Sequence, residues 1–191
     1  DEERADFDLA QPDSIAVRLS VNPAPAWAGQ ISYGYLPHHD LLEPEVELHR
    51  ATASLTHHRT FGDAGYWATT AVVGVNREGD HAHNAPALLI ESDLNVDGTN
   101  FVFGRVEYVR KSGHELVLAP ALAETHFDVG SVALGYLRTF GPFGALVPGL
   151  GVRGALNFVP AGLESVYGSR VPMGGMIYLR LGLAPTAHAG H

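Results

Sequence analysis

Residues Ala87 to Arg110, ALLIESDLNVDGTNFVFGRVEYVR, constrain the chain more than any other stretch, because they specify both a β-hairpin and its register. Asp97-Gly98 sits between two segments in which apolar and polar residues alternate, a strong short-range hairpin signal. A loop at Asp97-Gly98-Thr99 pairs Val96 with Asn100. Leu94 then faces Val102, Ser92 faces Gly104, Ile90 faces Val106 and Leu88 faces Tyr108. That face is nearly apolar. The other face sets Asp93 against Phe103, Glu91 against Arg105 and Leu89 against Glu107, so a carboxylate meets a guanidinium across the ladder. A slip of one residue would mix the two sets and is disfavoured.

The alternation recurs along the chain. Residues 1–13 have no apolar period and are expected to form a polar arm or loop. SIAVRLSVN from Ser14 and WAGQISYGYL from Trp27 follow as strands about an NPAPA turn, with Val21 expected opposite Trp27 and Arg18 opposite Gln30. HRATASLTHHR and YWATTAVVGVN are joined by FGDAG, and the central hairpin supplies the next two strands. FDVGSVALGYLRTF and ALVPGLGVRGALNF are joined by GPFG, and GGMIYLRLGL is the last strand before a tail at 185–191. Short turns thus alternate without exception with long polar segments (PHHDLLEPEVE, REGDHAHNAP, KSGHELVLAPALAETH and FVPAGLESVYGSRVPM). This is the layout of an up-and-down outer-membrane β-barrel, with short periplasmic turns, longer extracellular loops and alternating strands over 14–184. Trp27, Tyr35, Trp67, Tyr108 and Phe140 fall near strand ends, where interfacial aromatic girdles belong. The reading gives about nine strands. Bacterial single-chain barrels have even numbers, so upstream strands or other chains are expected to complete this one.

Composition narrows the function. The net charge of -9, from 21 acidic and 12 basic residues, argues against a nucleic-acid partner. There are no cysteines, which removes disulfide scaffolds and thiolate metal sites, and no apolar run is long enough for a transmembrane helix. The 22 glycines, many inside alternating segments, suit a curved sheet.

Gln30–Leu36 (QISYGYL), Leu42–Glu45 (LEPE), His49–Ser54 (HRATAS), Phe103–Glu107 (FGRVE), Leu134–Tyr136 (LGY) and Tyr178–Leu181 (YLRL) together resemble a group of porin-like bacterial outer-membrane proteins. The resemblance runs from about Phe7 onward and matches the C-terminal portion of such proteins. It implies location and architecture; its motifs are structural, so it implies no catalytic residues. Many barrel proteins end on an aromatic residue, whereas this chain ends in His191.

Several motif lookalikes fail on their chemistry. Asp93-x-Asn95-x-Asp97-Gly98 imitates an EF-hand loop but has Gly104 where the bidentate glutamate belongs. Gly149-x-Gly151-x-x-Gly154 matches a dinucleotide fingerprint with no helix after it. His114-Glu115 begins an HExxH that lacks its second histidine, and no GxSxG is present. Among the 11 histidines, His38, His39, His81 and His83 are candidate metal ligands in the expected loops, with His114 and His126 also placed there. Imidazole beside carboxylate suits zinc, copper or nickel, but no pair has the spacing of a structural site.

Arg18, Gln30, Arg50, Glu91, Arg105, Glu107, Arg153, Tyr178 and Arg180 lie on the non-apolar parity of their strands and are the lumen-lining candidates. Such charges either brace a barrel interior as ion pairs or sort solutes by charge. The expectation is an outer-membrane, porin-like protein that passes or binds small polar solutes, has lipid around it and needs no cofactor or catalysis. Two other readings compete: a barrel hydrolase using His126 and Asp128, and a soluble β-sandwich in which Ile177, Leu179 and Leu181 face a protein core.

Overall fold

The computed structural model describes residues 14–37, 47–79 and 83–183, within which nine strands form one antiparallel sheet in strict sequence order. They are β1 (Ile15–Ala24), β2 (Trp27–Leu36), β3 (Leu48–Phe61), β4 (Gly65–Glu78), β5 (His83–Asn95), β6 (Asn100–Ser112), β7 (His126–Thr139), β8 (Leu146–Phe158) and β9 (Met173–Leu183). One helical turn, α1 (Glu164–Tyr167), interrupts the β8–β9 connection. The arm at 1–13 and the tail at 185–191 lie outside the described residues.

The central hairpin has the register that its alternation requires: Leu94 pairs with Val102, Ile90 with Val106, Glu91 with Arg105 and Leu89 with Glu107, and the Val96 amide donates to the Asn100 carbonyl at 2.8 Å. The first hairpin departs from expectation by two residues. Val21 pairs with Gly29 and Arg18 with Ser32, while Trp27 pairs with Ala24 across a register shift. Proline did not end β1, because this is an edge strand, where a missing N–H is tolerated. A two-residue shift preserves parity, so every side chain keeps its expected face.

A second correction concerns the connections. The β4–β5 link is only 79–82, since both strands extend through segments expected to be loop. The long connections are 37–47, 113–125 and 159–172, so the alternation of short and long links has this one exception.

Each strand presents one face of each kind. Apolar residues such as Leu19, Ile31, Leu55, Val73, Ile90, Val106, Leu134, Val152 and Ile177 share one face across all nine strands, and they are exposed. Ile177, Leu179 and Leu181 are 78%, 83% and 70% accessible, so they contact no protein core, contrary to the sandwich expectation. The polar face is the concave one. Tyr66 on β4 and Arg180 on β9, five strands apart, line a single cavity; only a strongly curled sheet brings them together. What close packing exists is on this side: Ala133 and Leu137 are each 6% accessible. Among the described residues β1 and β9 do not pair. With nine antiparallel strands in order, those two edges run in the same direction.

Curling is helped by aromatic rings laid on glycines across the ladder. Phe103 lies over its partner Gly135, and Tyr178 over Gly151, so closely that a methyl at either glycine would collide with the ring. At the short-turn end, Asn95 ties two neighbouring turns together. Its side-chain oxygen accepts the Gly98 amide at 2.7 Å and its amide nitrogen donates to the Ala64 carbonyl at 3.0 Å. Gly98 has φ of +85°, which a side chain would strain. The Asp97 carboxylate accepts from the amides of Thr99 and Asn100 at 2.9 and 2.8 Å and from both side chains. The Thr99 and Asn100 donors hold its pKa well below the usual carboxylate range.

Gly135→Ala and Gly151→Ala should each cost about 1–3 kcal/mol through overpacking, whereas Gly154→Ala, which meets nothing within 4 Å, should be close to neutral; urea unfolding in detergent would rank them. Because the folded-state pKa of Asp97 is depressed, its stabilising effect is complete above the unfolded value near pH 4 and fades as pH falls below it. Asp97→Asn should therefore lose less stability than the parent protein between pH 5 and pH 2.5, as read from unfolding midpoints at both pH values.

Candidate functional site

All nine lumen-lining candidates fall on the concave face, but they do not form one site. Gln30 on β2 donates to the Ser20 hydroxyl at 3.1 Å. Arg50 on β3 donates through Nε to the Asn76 side-chain oxygen at 2.9 Å. Both lie far along the sheet from β8 and β9.

The centre of the face is an ion-pair cluster on β5 and β6. Arg105 donates to Glu107 Oε2 from Nε at 3.2 Å and from a terminal nitrogen at 2.9 Å, and its other terminal nitrogen is 3.6 Å from Glu91. Glu91 stands directly across the ladder from Arg105, and Glu107 two residues further along the same strand. The guanidinium is held between two carboxylates. All three side chains remain well hydrated, so solvent screens most of the attraction.

On the short-turn side of this cluster lies a cavity of about 570 Å³, bounded by Tyr66, Glu91, Asp93, Phe101, Phe103, Arg105, Ala133, Leu137, Arg153 and Arg180. Tyr66 donates its hydroxyl to Asp93 at 3.0 Å, and Arg180 is close enough to act electrostatically on that hydroxyl. Arg153 and Arg180 form no hydrogen bond or ion pair among the described residues. Tyr178 does not reach into the centre; its ring is flat against β8 at Gly151. Tyr66, Asp93, Phe101 and Phe103 were missed as site candidates. The parity they share with Glu91 was the available signal, but it could not say which positions the curl would gather.

At the long-connection end, residues outside the strands fold over the concavity. Leu163 is fully buried, Phe127 nearly so, and a methyl at Gly162 would touch the Phe127 ring at 3.7 Å. Leu116 and Tyr167 help line a smaller cavity of about 340 Å³ with Glu107, Ser131 and Asn157. The 113–125 connection is tightened by Glu115, which accepts the Ser112 amide at 2.8 Å and approaches Lys111 Nζ at 3.4 Å.

The histidines do not assemble a metal centre among the described residues, where no group of three potential ligands converges. His38, His39 and His81 lie outside the described residues. His83 and His126 are not in loops as expected: they begin β5 and β7, because those strands extend further than their apolar cores. His126 and Asp128 are on the apolar face. Asp128 accepts from Arg110 at 2.8 and 3.1 Å and from the Tyr108 hydroxyl at 2.8 Å. That carboxylate is engaged as an ion pair with Arg110.

The apolar face carries polar aromatic groups at both margins. Near the short turns, His57 stacks against Trp27 with ring centroids 4.6 Å apart and meets Trp67 at 6.0 Å. The Trp67 indole donates to Ser92 at 2.8 Å, and Tyr136 donates to Asn100 at 2.5 Å. At the other margin the Tyr33 hydroxyl bonds His49 Nδ1 at 2.7 Å, and Tyr35 packs on the same ring with centroids 5.0 Å apart. Four of the five residues expected to form girdles, Trp27, Tyr35, Trp67 and Tyr108, lie on this face near its edges.

A double-mutant cycle between Arg105 and Glu107 should give a coupling of about 0.2–1 kcal/mol that shrinks in high salt. The Arg105–Glu91 coupling should be weaker still, since that approach is longer. A coupling of several kcal/mol would mean that the cluster is far drier than its exposure indicates.

Comparison with known proteins adds no identity to this geometry: no family model, no curated protein and no solved structure matches the chain.

Proposed function

We propose that the chain forms the wall of a bacterial outer-membrane β-barrel, porin-like, that passes or binds small polar solutes along its concave, charged face. The supporting observation is the apolar face, exposed on every strand and edged at both margins by Trp, Tyr and His. Burying one such aliphatic side chain is worth about 1.5–3 kcal/mol, and water-soluble monomers rarely leave an apolar patch of more than a few hundred Å² uncovered. Lipid is the partner that suits a two-sided strand of this kind. Along β2, Trp27 and Tyr35 are eight residues apart, or about 26 Å at ~3.3 Å per residue. On strands tilted by about 40° that span projects to roughly 20 Å along the membrane normal, somewhat less than the apolar band of about 25 Å between aromatic girdles.

Closure follows from strand direction. The edges β1 and β9 run parallel to each other, so an all-antiparallel barrel needs an odd number of additional strands between them, from further barrel segments or other chains. A second copy inserted in the same orientation would place its β1 parallel to β9 and would not satisfy this. The hydrolase alternative has less support, since His126 and Asp128 lie on the face assigned to lipid.

The native protein should fractionate with outer membranes and migrate differently in gels when boiled and unboiled. In planar bilayers it should either conduct or show solute-dependent noise. Cysteines placed at Ser20 and Gly182 should not form an intramolecular disulfide. A detergent-independent, heat-insensitive protein would sink the membrane reading, and an efficient Ser20–Gly182 disulfide would show that β1 and β9 close on each other directly.

A further inference from the structure

We infer that the cavity between β4 and β9 is a subsite for small organic carboxylates, with Arg153 and Arg180 as its anion-binding groups and Phe101, Phe103 and Leu137 as its apolar wall. The inference deepens the porin-like reading and rests on it only for where the solute comes from.

The charges of the concave face divide unevenly. Arg105 is neutralised by Glu91 and Glu107, and Lys111 is close to Glu115. Arg50 donates to the Asn76 side-chain oxygen, a neutral partner. Asp93, the remaining acid of the cavity, takes the Tyr66 hydroxyl. Among the described residues Arg18 on β1 and the two guanidiniums on β8 and β9 have no anionic partner, and of these only Arg153 and Arg180 border the cavity. The carboxylates opposite them are already engaged, which reduces the repulsion that an entering anion would meet.

A guanidinium presents a planar fork of donors matched to a carboxylate, and hydrogen bonds between ionised partners are roughly twice as strong as neutral ones. The remaining wall argues for an anion with an apolar body. Phe103 is pressed flat on Gly135, the residue directly across the ladder from Arg153, so an aromatic face lies next to one guanidinium. Leu137 and Ala133 continue that surface. At about 570 Å³ the space is in the range of small-molecule sites. A hydrated inorganic ion would leave the apolar wall uncovered, whereas a carboxylate on a ring or short chain would use both parts.

Benzoate is a suitable probe, with neutral benzamide as its shape control. Titration of the native protein in detergent micelles, followed by ligand-observed NMR, should give saturable benzoate binding that weakens with added salt. Benzamide should bind at least about tenfold more weakly. Arg153→Gln and Arg180→Gln should each weaken benzoate about tenfold, with Arg153→Lys and Arg180→Lys intermediate, while Arg77→Gln on the other face should leave affinity unchanged. Heat-modifiable gel mobility establishes that each variant is folded, and the Lys variants keep the test decisive if a Gln variant is not. Equal binding of benzamide and benzoate, unchanged affinity in both arginine variants, or no saturable benzoate binding by the folded protein would overturn the subsite. Benzoate binding without any conductance would sustain the subsite and count against an open channel. Conductance without benzoate binding would do the reverse.

Discussion

A two-residue alternation, kept in phase across an antiparallel ladder, is the constraint on which the rest of the molecule depends. Because successive side chains point to opposite faces, nine strands paired in order gather their apolar residues on one surface and their charges on the other. The Glu91–Arg105 pair and the Ile90–Val106 pair are neighbours in sequence and lie on opposite sides of the sheet. Any odd slip would place a guanidinium among aliphatic side chains and expose leucine to the polar cavity. This cost fixes the register more firmly than turn chemistry does, as the first hairpin shows: its turn moved, its register shifted by two, and its faces stayed intact.

Curl turns that two-sided sheet into a container. Residues five strands apart can share a cavity only because the wall bends, and the bend is accommodated where Gly135 and Gly151 leave room for Phe103 and Tyr178 to lie flat. The aromatic rings occupy space that a side chain on the opposite strand would otherwise fill. At one end the interlocked turns around Asn95 and Asp97 hold β3 to β6 together. At the other, Leu163 and Phe127 pack the long connections inward, so the two ends of the wall differ in chemistry as well as in length.

Bracing and recognition divide along the concave face. Arg105 sits between two carboxylates and serves the wall itself, while Arg153 and Arg180 are spared such partners and face open space. The same residue type therefore has two environments, set by which strands carry acids. β5 and β6 supply Glu91, Asp93 and Glu107; β8 and β9 supply none on that face. The outer margins use polar groups differently again: Asp128, Arg110 and Tyr108 satisfy one another where the apolar band ends.

The order of the nine strands, the face of the nine lumen-lining candidates and the central register were legible in the sequence, because alternation has a period of two and any error in it is costly. Sequence alone placed Arg18, Gln30, Arg50, Glu91, Arg105, Glu107, Arg153, Tyr178 and Arg180 on one face. It could not show that Arg153 and Arg180 would meet Tyr66 and Asp93, since parity specifies direction and not curvature. Nor could it show that β4 and β5 run nearly to each other, because their polar ends lack the apolar signal that marks a strand, while the backbone ladder continues regardless of side-chain polarity. Tertiary structure decided the bend, which arginines of the concave face beyond the Glu91–Arg105 pair would share a cavity, and the inward fold of the long connections, all of which depend on contacts between residues distant in the chain.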